Sequence, residues 1–124
     1  MNTILRFIEL YKKETDNEKR KTMYDLFFKK NATFREYIDM MHNEKYIPLI
    51  DELPFYEDDG SPSGYNFSKL EMQLSKIKTA LYNISLDEKR RNTILMQICE
   101  AISKDEVDFL QDIMNKKSRL FIEE

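Results

Sequence analysis

The sequence predicts an all-α fold: a compact bundle of about six short helices, crossed by one long Pro/Gly/aromatic loop at 43–67. Three observations carry this. Glycine and proline together number five in 124 residues, and all five fall inside that loop, so helix breakers are missing everywhere else. Four segments place a Ser or Thr three residues before a Glu: Thr33 with Glu36, Ser68 with Glu71, Ser85 with Glu88 and Ser103 with Glu106. That is the capping-box pattern, in which the hydroxyl accepts from the third N–H of a new helix and the glutamate reaches back to the cap's own N–H. Apolar residues then recur at helical spacing behind each.

In chain order, Ile4, Phe7, Ile8 and Tyr11 form one face behind a cap at Asn2 or Thr3. After a polar joint at 15–17, Met23, Leu26, Phe27 and the stem of Lys30 form the next. Behind Thr33 come Phe34, Ile38 and Met41; behind Ser68 come Leu70, Leu74, Ile77 and Leu81. Ile94, Leu95, Ile98 and Ile102 follow Ser85, and Val107, Leu110, Ile113 and Met114 follow Ser103. Short joints at 15–17, 31–33 and 83–85 make neighbouring helices pack as hairpins or corners. The aromatic stripe Tyr24, Phe27, Phe28, Phe34 and Tyr37 belongs to the core.

The loop 43–67 holds Pro48, Pro54, Pro62, Gly60 and Gly64, with turns expected at Asp59-Gly60 and Ser63-Gly64. It is also rich in Tyr, Phe, Ile and Leu, so it should lie across the helices and cover part of the core, with room for a short extended pairing. Its charge is −5, against +2 for residues 1–42 and zero for 68–124. At the chain end, Leu120, Phe121 and Ile122 either dock on the body or await a partner.

Composition limits function. Charged residues are 35% of the chain, above the ordinary quarter or so. The hydrophobic share of 41% is too high for a disordered chain. A soluble, intracellular single domain over 1–124 is the expectation. One cysteine excludes a disulfide framework or multi-thiolate metal site, and no segment reaches the length of a membrane span. Two glycines and no GK[ST] exclude a phosphate cradle. Cys99, on a helix face beside Ile98 and Ile102, reads as a buried thiol. His42, at a helix C-terminus, reads as a favourable dipole partner. The run Glu57-Asp58-Asp59 lacks the alternating ligands of a calcium loop. No catalytic residue, metal site, cofactor or small-molecule substrate is therefore expected. Three basic clusters remain: Lys19-Arg20-Lys21, Lys89-Arg90-Arg91, and Lys116-Lys117 with Arg119. The first two sit in opening turns of helices, where cations are disfavoured, a local conflict that points mildly to function.

The order of features from FREYIDMM (34–41) through LPFYEDD (53–59), SKLEMQLSKIKTALYN (68–83) and LDEKRRNTILMQICEAISKDEVDFLQDIMNKK (86–117), with LRFIELYKK (5–13) at the start, resembles a family of small proteins from T-even-type tailed phages. Some members are the RNA polymerase-binding protein that such phages make during infection. The helical layout is also similar to the N-terminal DNA-binding domain of phage ATP-dependent DNA ligases. That likeness carries fold only, because the nucleotidyl-transfer motif KxDG is missing. The chain also stops at LFIEE, where relatives run on into a Lys-Gly and apolar-Pro-Gly-Leu tail. The resemblance implies a non-enzymatic phage protein in the host cell cytoplasm that binds host RNA polymerase and modulates transcription. Its expected partner contacts are Phe55, Tyr56, Glu57, Asp58, Asp59 and Tyr65, because aromatic anchors dominate interface energy and an acidic rim orients encounter. Two alternatives stand beside it. One is a DNA-binding module using Lys19, Arg20, Lys21, Lys89, Arg90 and Arg91 on phosphates; the other is an inhibitor of a host defence protein.

Overall fold

Five of the six helices begin where a short polar side chain satisfies the first free N–H groups. In the computed structural model, which describes residues 2–57 and 66–121, the Thr3 hydroxyl accepts from Arg6 N–H and opens α1, Ile4–Lys13. Asp16 does the same for α2, Asn17–Lys30. Asn31 ends α2 and starts α3, Ala32–His42, its side chain accepting from Phe34 N–H at 2.8 Å. The remaining helices are α4, Leu70–Tyr82, α5, Glu88–Ala101, and α6, Lys104–Asn115. The all-α fold with six helices is as expected; no strand occurs among the described residues.

Of the four capping boxes, only that of Ser103 and Glu106 forms. Asn31 and Asp87 take the cap positions in place of Thr33 and Ser85. Asn31 lies two residues before Thr33 and Asp87 two residues after Ser85, and each binds the new N–H groups as well as a hydroxyl does. At α4 the cap is Lys69, with no side-chain bond. Two of the glutamates also reach across to other helices. Glu71 Oε1 accepts from Ile4 N–H, the first residue of α1, at 3.3 Å. Glu106 Oε1 accepts from Ser103 N–H at 3.1 Å, while its Oε2 accepts from Leu70 N–H, the first residue of α4, at 2.7 Å. The Tyr37 hydroxyl donates to Leu70 O at 2.7 Å. The buried Glu106 and half-buried Glu71 thus hold the N-termini of three helices, each favoured there by a helix dipole.

One continuous apolar cluster draws on all six helices. α4 packs on α5, α3 on α6 and α2, and α1 lies against α6, α2 and α4. Its aromatic centre is Phe7, whose ring lies 4.5 Å from Phe27, 5.3 Å from Phe34 and 5.4 Å from Phe121. Aromatic pairs of this kind contribute ~0.5–1.5 kcal/mol each beyond the area they bury. Phe121 also meets Tyr11, Tyr24 and Phe109, so the end of the described chain docks on the body. Ile122 lies outside the described residues. One stripe is rotated from expectation: Leu26 is 47% exposed, and α2 turns Phe27 inward with Met23, Tyr24 and Phe28 half-buried beside it. Three aromatic rings and a methionine bury more area than one leucine, and they set the rotation.

Candidate functional site

The loop after α3 is a strap tied to the body along its described length, 43–57. Its anchor is Lys116, the C-cap of α6 with φ 60° and ψ 31°. The ammonium donates to Met40 O at 2.8 Å, Asn43 O at 2.7 Å and Tyr46 O at 3.0 Å, matching its three donors to three carbonyls. Desolvation lowers its pKa, partly opposed by Asp39 and Glu44. Further along, Leu49 N–H donates to Leu81 O at 2.9 Å. Gln111 clamps the strap from both sides: its Oε1 accepts from Leu53 N–H at 3.0 Å and its Nε2 donates to Asp51 O at 2.9 Å. Tyr46 packs on Tyr82 with ring centroids 5.2 Å apart, under the ammonium groups of Lys45 and Lys78. Lys78 in turn pairs with Glu36.

So held, the strap divides its apolar residues. Tyr46, Ile50, Leu53 and Tyr56 pack on the core. Ile47, 72% exposed, Leu49 and Phe55, 85% exposed, face outward, flanked by the exposed Asp51, Glu52 and Glu57. Of the expected partner contacts, Phe55 and Glu57 are on the surface, while Tyr56 is half-buried against the core. Asp58, Asp59 and Tyr65, with the two expected turns, lie outside the described residues. Where description resumes, Asn66 Nδ2 donates to Ile102 O at 3.3 Å and Ser68 N–H to Ala101 O at 2.7 Å. Tyr56, Glu57 and Asn66 border one crevice at the α5–α6 joint, and the fully exposed Phe67 follows at once. Ile47, Leu49 and Phe67 were not singled out from sequence. The inward Tyr46, Ile50, Leu53 and Tyr56 follow no period of two, and which side chains face out depends on the distant anchors Lys116, Leu81 and Gln111.

The basic clusters fare differently. Arg91 is 6% exposed. Its guanidinium donates to Ala80 O at 2.6 Å, Leu86 O at 2.7 Å and Asn83 O at 3.2 Å, satisfying the carbonyls where α4 ends. Arg20 Nε donates to Glu14 O and its guanidinium lies 4.9 Å over the Tyr11 ring, bracing the α1–α2 corner. These two are fold residues and not free phosphate contacts, because each corner leaves carbonyls that a planar, five-donor group fits. Lys19, Lys21, Lys89 and Arg90 are exposed. α2 packs chiefly on α1 and α3, and α5 on α4, so the two clusters stand on different neighbours. In the third cluster, Lys116 anchors the strap and Arg119 Nε pairs with Asp112 at 2.5 Å.

No group of three or more His, Cys, Asp or Glu able to hold a metal occurs among the described residues, and none of the helices is long and apolar enough to cross a membrane. Cys99 is buried, and desolvation, with the charge of Glu100, pushes its thiol up to about 12. A thiol so placed carries little of the reactive thiolate. Burial, then the charge of Glu106, raises the pKa of Glu71 against the lowering hydrogen bond from Ile4. Burial with Glu71 and Glu106 raises that of Tyr37. Glu71 Oε2 is buried with no hydrogen-bond partner among the described residues.

Compared with protein-family models, with curated proteins and with solved structures, the chain matches none.

Proposed function

We propose that this chain is a non-enzymatic phage protein that docks on host RNA polymerase in the host cytoplasm and modulates transcription, with strap 43–57 as its contact surface. The single observation that carries the docking surface is Phe55. It is a large aromatic left 85% exposed on a segment fixed to the bundle by Lys116 and Gln111. A rigid scaffold presenting an aromatic anchor loses little conformational entropy on binding, and such anchors supply most of an interface's energy. Asp51, Glu52 and Glu57 around it would orient encounter with a basic surface. The partner's identity rests on the phage-family resemblance of the segments 5–13, 34–41, 53–59, 68–83 and 86–117.

The test is retention of host RNA polymerase on the immobilised protein. Phe55→Ala should weaken retention about tenfold, a loss of ~1.4 kcal/mol, with the far-UV circular dichroism and melting curve unchanged. Equal retention by the variant removes the strap from the interface, and no retention by the wild type removes the polymerase as partner. The DNA-binding alternative is weakened by the use of Arg20 and Arg91 inside the fold. It predicts duplex binding that falls steeply with salt.

A further inference from the structure

A groove of about 440 Å³ runs along the outer seam of the α4–α5 hairpin. Its floor includes Ile94 and Ile98, and its walls carry Gln73, Thr79, Lys76 and Arg90. Both charged residues that line it are cations, and no carboxylate does, in a chain whose net charge is −3. The Lys76 and Arg90 side chains are exposed and make no ion pair among the described residues. Several other basic groups are used within the fold: Lys78 on Glu36, Lys12 on Asp105, Arg119 on Asp112, Arg91 on backbone carbonyls. What sets Lys76 and Arg90 apart is that they line one groove without a carboxylate. Two unpaired cations on opposite walls of a groove with an isoleucine floor are complementary to an amphipathic segment with acidic flanks. At 3.6 residues per turn, Lys76 lies about 200° around α4 from Lys78, which meets the strap residue Tyr46. The groove and the strap therefore occupy different faces of α4.

We infer that the α4–α5 groove is a second binding site, taking an acidic amphipathic helix of a partner protein, with apolar side chains on Ile94 and Ile98 and carboxylates on Lys76 and Arg90. This is the helix-in-groove mode of recognition. Aliphatic contact supplies affinity, while the paired cations select sign and register.

The probe is a fluorescein-labelled synthetic helix with leucines at i, i+3, i+4 and i+7 and glutamates flanking them. Its comparison is the same peptide with lysines in place of the glutamates. By anisotropy the glutamate peptide should bind and the lysine peptide should not, and amide shifts on titration should cluster in α4 and α5. Charge reversal by Lys76→Glu with Arg90→Glu should weaken binding about tenfold or more. The neutral pair Lys76→Gln with Arg90→Gln should fall between, both with unchanged melting curves. The inference is overturned by equal binding of the two peptides, no binding of either, shifts confined to other helices, or the seam covered by a second copy in concentration-dependent sedimentation. Tighter binding of duplex DNA than of the acidic peptide would also overturn it, because cations serving phosphates need no apolar floor. Phe55→Ala should leave peptide binding unchanged, which separates this site from the polymerase reading.

Discussion

Glu106 is the residue whose loss tests the architecture most directly. It is 1% exposed and joins two helices, with Oε1 on Ser103 N–H at 3.1 Å and Oε2 on Leu70 N–H at 2.7 Å. Charge-assisted hydrogen bonds stabilise by ~1.5–3 kcal/mol each, and an orphaned buried donor costs ~1–3 kcal/mol. Glu106→Ala removes the acceptor from both donors. Recovered carboxylate desolvation and relief of the repulsion with Glu71 offset part of that, leaving a loss of roughly 3–5 kcal/mol. Glu106→Gln keeps one oxygen but turns an NH₂ toward the other donor, for roughly 2 kcal/mol. An unfolding entropy of about 2.1 cal/mol/K per residue gives ~0.26 kcal/mol per degree for this chain, so Glu106→Ala should lower Tm by roughly 12–19 °C. Urea denaturation followed by circular dichroism measures the loss, with an unchanged slope confirming a common unfolded state. Glu36→Ala is the control. Glu36 also follows a threonine by three residues, but it serves the half-exposed pair with Lys78 and should cost ~1 kcal/mol or less. If Glu106→Ala costs no more than Glu36→Ala, the carboxylate does not hold α4 to α6 and the reasoning fails.

Two further outcomes follow from the same geometry. Arg91→Ala should lose about 3 kcal/mol in the same assay, since it strips the carbonyls of Ala80, Asn83 and Leu86 of a charged donor. Lys89→Ala with Arg90→Ala should stay within about 0.5 kcal/mol of wild type, and equal losses in the two variants would contradict the structural role of Arg91. For Glu71, the folded state raises the carboxyl pKa above its ordinary value of 4.5 through burial and Glu106, against the lowering effects of Ile4 N–H and Lys69. The folded chain therefore holds this proton more tightly than the unfolded one, so its contribution to stability grows as pH falls through the raised pKa and declines as pH rises. The stability advantage of Glu71→Gln over wild type should accordingly be larger at pH 7 than at pH 5. A difference that does not vary with pH would refute the shift.

The helices were legible because their signals are local. Ile4, Phe7, Ile8 and Tyr11 recur at helical spacing and are all buried, as are Leu70, Ile77 and Leu81. The inward Cys99 followed from its neighbours Ile98 and Ile102, and the covering role of 43–57 from its apolar content. What local pattern missed is the partner of each polar group. Ser68 with Glu71 reads as a capping box, yet Glu71 serves α1, and the Ser68 hydroxyl accepts from Gln73 at 2.8 Å. Arg91 reads as part of a basic triplet, yet it closes α4. Phe55 and Tyr56 are adjacent and chemically alike, but one faces out and the other packs on the core. The pairing of Lys76 with Arg90 across a seam has no signal in a chain where the two stand fourteen positions apart.

The sequence by itself determined six helices, the apolar faces of all but α2 and a strap over them, because backbone propensity and hydrophobic period act within a few residues. Tertiary structure decided which carboxylates hold which helix ends, which cations remain unpaired and which aromatic faces outward. Those outcomes depend on groups brought together from distant parts of the chain, and a buried donor or charge takes whichever partner the packing puts within reach.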